Sequence, residues 1–400
     1  MTADKPSHLV PKLRFPGFRG HSGWDQAKVG DLIDTVTPPM KLSTASYLAG
    51  GRFPIIDQSQ NSICGWTNNE EAVITKPLPV IVFGDHTCAL KLVDHAFAQG
   101  ADGIKILTAE RSVTTTYLYH HLNCRPMVTA DYKRHFSDLK EKKVSFPSMD
   151  SGEQQKVADC LGSLDDLIAA ESRKLEALRQ HKQGLIQQLF PQPGETVPHL
   201  RFPEFRNARE WEETTIGNMG EVITGSTPST SRRDFYGGDF MFVSPSDISD
   251  LRFVEKTKTT LTEAGFAECR PIKENGVLFV CIGSTIGKVA QCTRPCASNQ
   301  QINALVVNSA FIADFAYYLL DKESTRIAKL AGKHAVPIIN KSLFAAVKVT
   351  APAVSEQRQI ADCLSSLDAQ LAAQVQKLNA LRTHKRGLLQ QLFPSPEGNE

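Results

Sequence analysis

The feature that most constrains this chain is a long segment written twice. EQQKVADCLGSLDDLIAAESRKLEALRQHKQGLIQQLFP runs from Glu153 to Pro191, and EQRQIADCLSSLDAQLAAQVQKLNALRTHKRGLLQQLFP runs from Glu356 to Pro394. In the first copy Leu161, Leu164, Ile168, Leu175, Leu178, Leu185 and Leu189 step alternately by three and four, with Glu171 and Lys182 in the gaps. In the second, Leu364, Leu367, Leu371, Leu378, Leu381, Leu388 and Leu392 keep the same rhythm around Gln374 and Lys385. A seam of this kind, sustained over the whole segment, predicts a coiled coil. A stripe this narrow suits pairing with one other helix, and the partner at hand is the other copy. The competing reading is that each helix packs on its own domain. Ser151 and Ser355 stand where N-caps belong, and Phe190-Pro191 and Phe393-Pro394 stop the helices. Paired antiparallel, the helices would form a spacer ~55 Å long at ~1.5 Å per residue, holding two bodies apart with the chain termini close together.

A second duplication precedes each body. PKLRFPGFRGHSGWDQAKVGDL begins at Pro11 and PHLRFPEFRNAREWEETTIGNM at Pro198, aligning Phe15 with Phe202, Phe18 with Phe205 and Trp24 with Trp211. The lead-ins lie 187 residues apart and the helices 203, so the second unit holds sixteen more residues between its shared ends. The expected organisation is 1–150, lead-in and first body; 151–191, first long helix; 192–355, lead-in and second body; 356–400, second long helix and tail. Four hundred residues are more than one core usually supports. The bodies alternate short apolar runs with polar turns. FPIIDQS, PLPVIVFGD, GIKILTAE and KVSFP read as strands in the first, and FMFVSPSD, GVLFVCIG and INALVV in the second. RSVTTTYLYHHLNC and FIADFAYYLLDKESTRIAKLA read as helices. The class is α+β: two domains of mixed structure separated by a long antiparallel two-helix coiled coil, with an internal pseudo-two-fold repeat.

Catalytic signatures fail when tested. GSTIGKVA at Gly283 has three residues between its glycines instead of the four of a phosphate loop, and Val289 stands where Ser or Thr would hold magnesium. There is no nucleophile elbow, no H-E-x-x-H and no Asn-Pro-Pro-aromatic motif of amino-methyltransferases. Cys292 and Cys296 are the close cysteine pair, and no second pair or local histidine completes a zinc site. Nine scattered cysteines fit reduced thiols. No apolar run is long enough to cross a bilayer, and a cytoplasmic location is expected. A net charge of +2 neither demands nor excludes a polyanionic partner.

Binding is what remains. The candidate contact residues sit in polar tips between strands: Gln58, Ser59, Gln60 and Asn61; Asp85, His86 and Thr87; Arg232 and Arg233; Ser246; Ser284, Thr285 and Lys288. Such side chains offer hydrogen bonds to base edges and phosphates. The alternative is that these are solvated turns, in which Asp57, Asp85 and Asp247 cap backbone amides.

The layout resembles the specificity subunit of type I restriction–modification systems. The resemblance rests on the LRFPxF…W lead-ins, the EQ..(V/I)ADCL helix starts and the GLxQQLFP helix ends, and it covers nearly the whole chain. FPIIDQSQNSICGWTN, PLPVIVFGDHT, GADGIKIL, Phe235-Tyr236-Gly237-Gly238 and CIGSTIGKV…SNQQI look like that family's target-recognition domains. The resemblance implies that each head reads one half of a bipartite double-stranded DNA site and that the helices set the unread gap. It implies a chain that is itself non-catalytic and carries no cofactor. It would dock two adenine-N6 methyltransferase subunits using S-adenosylmethionine, within a complex that recruits restriction subunits using ATP and Mg2+. A two-headed protein scaffold with no DNA role and an unrecognised enzyme are the competing readings.

Overall fold

A computed structural model describes residues 9–101, 103–110, 112–127, 133–249, 251–332 and 337–394. The outermost parts of the first lead-in and of the tail, 1–8 and 395–400, lie outside the described residues. So do Asp102 of GADGIKIL and Arg111 of the first segment read as a helix. The chain forms two compact units. The first takes the residues up to Glu171 together with those from Leu378 onward, and the second is Ser172–Lys377.

In the first unit, strands Ile33–Val36, Ile104–Ala109, Val80–Gly84 and Leu90–Val93 form an antiparallel sheet in that order. A second sheet runs Gly65–Thr67, Phe53–Ile56, Phe97–Gln99, Val73–Ile74, and its central pair is parallel. The run VIVF is apolar at every position because the strand is buried on both faces. Ile81 and Phe83 point into a core with Tyr117, Leu118 and Leu122 of helix Thr115–Cys124, while Val80 and Val82 meet Ile56 and Phe97 of the other sheet.

The second unit repeats this plan. Gly220–Thr224, Ile302–Val307, Val277–Val280 and Val289–Cys292 form the antiparallel sheet, extended by a short parallel strand, Phe253–Val254. Thr259–Leu261, Tyr236–Val243 and Cys296–Ser298 form the other sheet, with the last two parallel. Val277 and Phe279 face helix Ala313–Ala328, and Leu278 and Val280 face the second core. Each unit also has a two-stranded ribbon that carries the chain into its long helix: Asp25–Lys28 with Lys143–Phe146, and Glu212–Thr215 with Lys348–Ala351.

The duplicated helices are Glu153–Leu189 and Val354–Leu392, 37 and 39 residues long. The Ser151 hydroxyl accepts the Glu153 amide at 3.2 Å, as a cap should. Ser355 does not cap: the second helix already begins at Val354, whose turn is closed by the Glu356 amide donating to the Ala353 carbonyl. Within each unit a stretch of one helix lies antiparallel to a stretch of the other. In the first unit Lys385 bonds Asp165, and Val157 and Leu161 share a core with Leu389, Leu392 and Phe393. In the second, Lys182 bonds Asp368 at 2.6 Å, and Ile186, Leu189 and Phe190 share a core with Ile360 and Leu364. Helix pairing and packing on the domain therefore both occur, because the end turns of each helix are part of a head's core. The seam is better covered along the second helix. Leu364, Leu367, Leu371, Leu378 and Leu392 are buried, whereas Leu164, Ile168, Leu175, Leu178 and Leu185 are half-buried, as are Leu381 and Leu388.

The repeated motifs have structural work at these joints. Arg14 of the first LRFP grips Glu153 with two hydrogen bonds (2.8 and 2.6 Å) and donates to the carbonyls of His21 and Ser22. Arg201 of the second grips Glu356 (2.8 and 2.7 Å) and the carbonyls of Ala208 and Arg209. Gln154 and Gln357 each accept the first free amide of the neighbouring short helix, from Thr114 and Ile312, at 3.0 Å. The lead-ins hydrogen-bond the far ends of the long helices, Leu13 to the Gln391 carbonyl and Leu200 to that of Gln188. The Phe of each terminal Phe-Pro pair plugs a core. Phe190 stacks on Phe315 and meets Trp211 edge-on, and Phe393 meets Tyr117 and His121 edge-on. Among the described residues no helix is long and apolar enough to cross a membrane, and no cluster of His, Cys, Asp and Glu has the form of a metal site.

Candidate nucleic-acid interface

A parallel pair of strands delivers the two segments that follow it to the same edge of a sheet. In the first unit, Phe53–Ile56 and Phe97–Gln99 place 57–61 beside 100–103, and Val80–Gly84 brings 85–88 to the same edge. Thr87 donates its hydroxyl to the Gln58 carbonyl at 2.6 Å, and the Asp85 amide donates to the Gly103 carbonyl at 2.7 Å. Gly103 has φ +95°, and a side chain there would fall 2.8 Å from the Gln58 amide oxygen. The tip starts with an Asx turn, in which the Asp57 carboxylate accepts the Ser59 amide at 2.9 Å. Burial pushes the Asp57 carboxyl up, but hydrogen bonds from Ser59 outweigh it and the pKa falls. Gln60 and Asn61 are exposed. Gln58 Oε1 is buried with no hydrogen-bond partner among the described residues. Asp85 is only 4% exposed and accepts the amides of His135 and Phe136 at 3.0 and 2.9 Å. His86 Nδ1 lies 3.2 Å from the Lys133 carbonyl. The structure thus brings together the candidates at 58–61 and 85–87, with Asp85 turned inward to hold the backbone.

In the second unit Tyr236–Val243 and Cys296–Ser298 do the same for 244–247 and 299–301. The Asn299 amide donates to the Val243 carbonyl (3.1 Å), Ser226 to that of Ser298 (2.9 Å) and Cys281 to that of Gln301 (2.7 Å). Four segments therefore meet: 225–227, 244–248, 282–288 and 299–301. Gly225 is needed where the first crosses the last, since a Cβ there would lie 2.2 Å from the Asn299 carbonyl oxygen. Ser246 is exposed, with its Oγ 2.9 Å from that of Ser244, and Asp247 closes a capping box with Ser244. Ser284 and Thr285 lie on a loop between Gly283 (φ +96°) and Gly287 (φ +95°), and Lys288, directly after it, reaches the Ile248 carbonyl at 3.1 Å.

The two arginines differ. Arg232 is held by both oxygens of Asp234 (2.9 and 2.6 Å) and lies over the Phe235 ring. Arg233 is exposed, with no charged partner among the described residues. The residues left out of the candidate set are Thr227, Asn299, Gln300 and Gln301. Thr227 donates to Gln300 Oε1 at 2.7 Å, and Asn299 Nδ2 donates to Gln301 Oε1 at 3.0 Å. The signal was available as SNQQ, a run of side chains with both donors and acceptors directly after a buried strand.

Residues 208–383 match the family described as "Type I restriction modification DNA specificity domain". The Escherichia coli protein "Type I restriction enzyme EcoR124I/EcoR124II specificity subunit" is 26% identical over 336 residues, 79% of either chain. Residues 208–383 thus carry a match to the specificity domain, and over most of its length the chain is similar to type I specificity subunits. Its fold is shared with solved S subunits. The S subunit of a type I restriction–modification system from M. genitalium superposes with a TM-score of 0.69 at 17% identity, over 97% of this chain and 100% of that one. A chain from a structure titled for complex assembly and conformational transition of the type I R-M system gives 0.52 at 16% identity, over 94% and 98%.

Proposed function

We propose that this chain is the non-catalytic DNA-recognition subunit of a type I restriction–modification complex, and that each unit reads one half of a bipartite sequence with its cluster of tips. The observation that carries the reading is the repeated convergence. Candidates at 58–61 and 85–87 in the first unit, and at 246 and 284–288 in the second, meet at one edge, delivered there by a parallel strand pair. Side chains mounted on strand ends are held more rigidly than those on free loops, and base readout depends on fixed donors and acceptors. The duplicated Arg–Glu joints and lead-ins support a second element: two copies of one partner, one at each lead-in. On this reading the partners are adenine-N6 methyltransferase subunits that use S-adenosylmethionine, and ATP-driven restriction subunits join through the complex.

The test is to map methylated adenines in a genome expressing this chain with its cognate methyltransferase. A two-part motif with a fixed gap is expected. Exchanging residues 31–150 for a head of the same type should change one half of the motif and leave the other intact. Methylation that does not depend on this chain, or a swap that alters both halves, overturns the reading.

A further inference from the structure

We propose that Gln300 reads an adenine in the half-site of the second unit, and that Thr227 and Asn299 are the residues that position it. The inference rests on the recognition role argued above and assigns it to a residue.

Gln300 is exposed at the meeting point of the four segments. An exposed glutamine normally samples many rotamers, and ordering it on contact costs free energy. Here two devices hold it. The Thr227 hydroxyl donates to Oε1, which fixes which end of the amide carries the oxygen. Asn299, one residue back, ties its own loop shut: its Oδ1 accepts the Gln301 amide at 3.1 Å and its Nδ2 donates to Gln301 Oε1. The backbone on either side is anchored to the neighbouring strands through Val243 and Cys281.

What remains unused is chemically specific. With the hydroxyl on one lone pair, Oε1 keeps a second acceptor site, and Nε2 keeps its donor hydrogens. An acceptor beside a donor on one planar group matches the N6 amino group and N7 of adenine in the major groove. Guanine offers two acceptors there, and cytosine a donor without the adjacent acceptor. Arg232, the more obvious base reader by sequence, has one edge of its guanidinium, Nε and Nη2, on Asp234, which offsets its charge and fixes its direction. Arg233 is free for a phosphate, a contact that positions the duplex without choosing bases.

The experiment is selection of bound duplexes from a random-sequence pool by the full-length chain assembled with its methyltransferase subunits. Gln300→Ala should relax preference at one A·T pair of one half-site by about tenfold or more, the range of a lost bidentate contact, and leave the other half-site unchanged. Thr227→Val keeps the shape and removes the hydroxyl, so it should relax the same pair by a smaller factor. Gln300→Glu exchanges the donor for a second acceptor, and the preferred base at that pair should move from adenine toward cytosine, a change that misfolding cannot imitate. Unchanged preferences in the Ala and Glu variants overturn the assignment, as does a loss that is uniform across all sequences. A wild-type complex that selects no sequence at all overturns the recognition role along with it.

Discussion

The two units use the same residues at their joints and different residues where a short helix meets the long-helix pair. Arg14–Glu153 and Arg201–Glu356, Gln154 and Gln357, and Asp165–Lys385 and Asp368–Lys182 occupy matching places. Counting from the tethered helix starts, His120 and His121 of the first unit stand where the second has Tyr318 and Leu319. Tyr318 is fully used. It donates to Asp368, lies within bonding distance of Ser365, and accepts from Arg252 at 3.0 Å. His120 is 1% exposed, 3.9 Å from Asp165, and among the described residues neither ring nitrogen has a hydrogen-bond partner. A phenol can bury its ring and still reach a carboxylate. A buried imidazole with no hydrogen-bond partner favours its neutral form, so the first unit is expected to respond to acid at this position where the second has a phenol.

The largest expected effect breaks this comparison with pH. Burial pushes the His120 pKa down to about 4, with Asp165 opposing and Lys385 adding to the shift. Burial, with Arg125 and Lys142 adding, pushes His121 down to about 3, and its Nε2 accepts the Ser145 amide. Both values lie below the ordinary histidine value of ~6.5, so the unfolded chain takes up protons that the folded unit refuses. The stability that depends on these neutral rings is whole above pH ~6.5 and falls as the pH drops toward 4. Between pH 6.5 and 4.5 each ring contributes a loss on the order of 2–3 kcal/mol. Amide exchange read helix by helix should show Thr115–Cys124 opening over this range well before Ala313–Ala328. His120→Leu should flatten about half of the difference. Equal acid sensitivity in both helices would show that the histidines do not set it.

The second effect sharpens what the units share. Each Arg–Glu clamp is buried on both sides. Removing one partner of a buried pair leaves an uncompensated charge and costs about 3–5 kcal/mol. Glu153→Ala and Glu356→Ala should therefore each lower the denaturant midpoint of its own unit strongly. The second should cost more, because Trp211 Nε1 also donates to Glu356 at 3.4 Å, while Trp24 Nε1 is buried with no partner among the described residues. If Glu153→Ala costs as much or more, the Trp211 contact adds nothing.

How much of this could be read beforehand follows from the same joints. The long helices, the lead-ins and the helix-ending Phe-Pro pairs were legible, because heptad spacing and self-similarity are local and need no knowledge of the fold. Strands buried on both faces, such as Val80–Gly84 and Val277–Val280, were legible as unbroken apolar runs. Their return strands, Leu90–Val93 and Val289–Cys292, were not, since LKLV and VAQC mix polar and apolar residues, and only the ladder makes them strands. The tips were legible as polar stretches, but the role of each side chain was not. Asp85 turns inward to two amides and Arg232 is held by Asp234, whereas Gln300 is held in place with hydrogen-bonding capacity to spare. Those distinctions depend on neighbours brought in by the parallel strand pair, which lie far away in sequence.

The smallest expected effect separates adjacent residues of one loop. Binding to a duplex weakens with salt in proportion to the phosphates neutralised, with a slope of about one for each contact. Arg233 is exposed and has no charged partner among the described residues, so Arg233→Ala should reduce that slope by about one and weaken binding similarly across sequences. Arg232 is already matched by Asp234, and Arg232→Ala should leave the slope nearly where it was. The informative variant is Asp234→Ala. It releases the Arg232 guanidinium from both hydrogen bonds while the Phe235 ring still supports it from below. If the loop faces the phosphates, the freed charge should steepen the slope by about one and tighten binding at low salt, with base preference unchanged. The first unit has Ala45 and Ser46 at the places aligned with Arg232 and Arg233, so no equivalent gain is available there. An Asp234→Ala chain that binds no more tightly at any salt concentration, alongside an Arg233→Ala chain that loses nothing, would place this loop away from the DNA and leave recognition by the second unit to the edge formed by 244–248, 282–288 and 299–301.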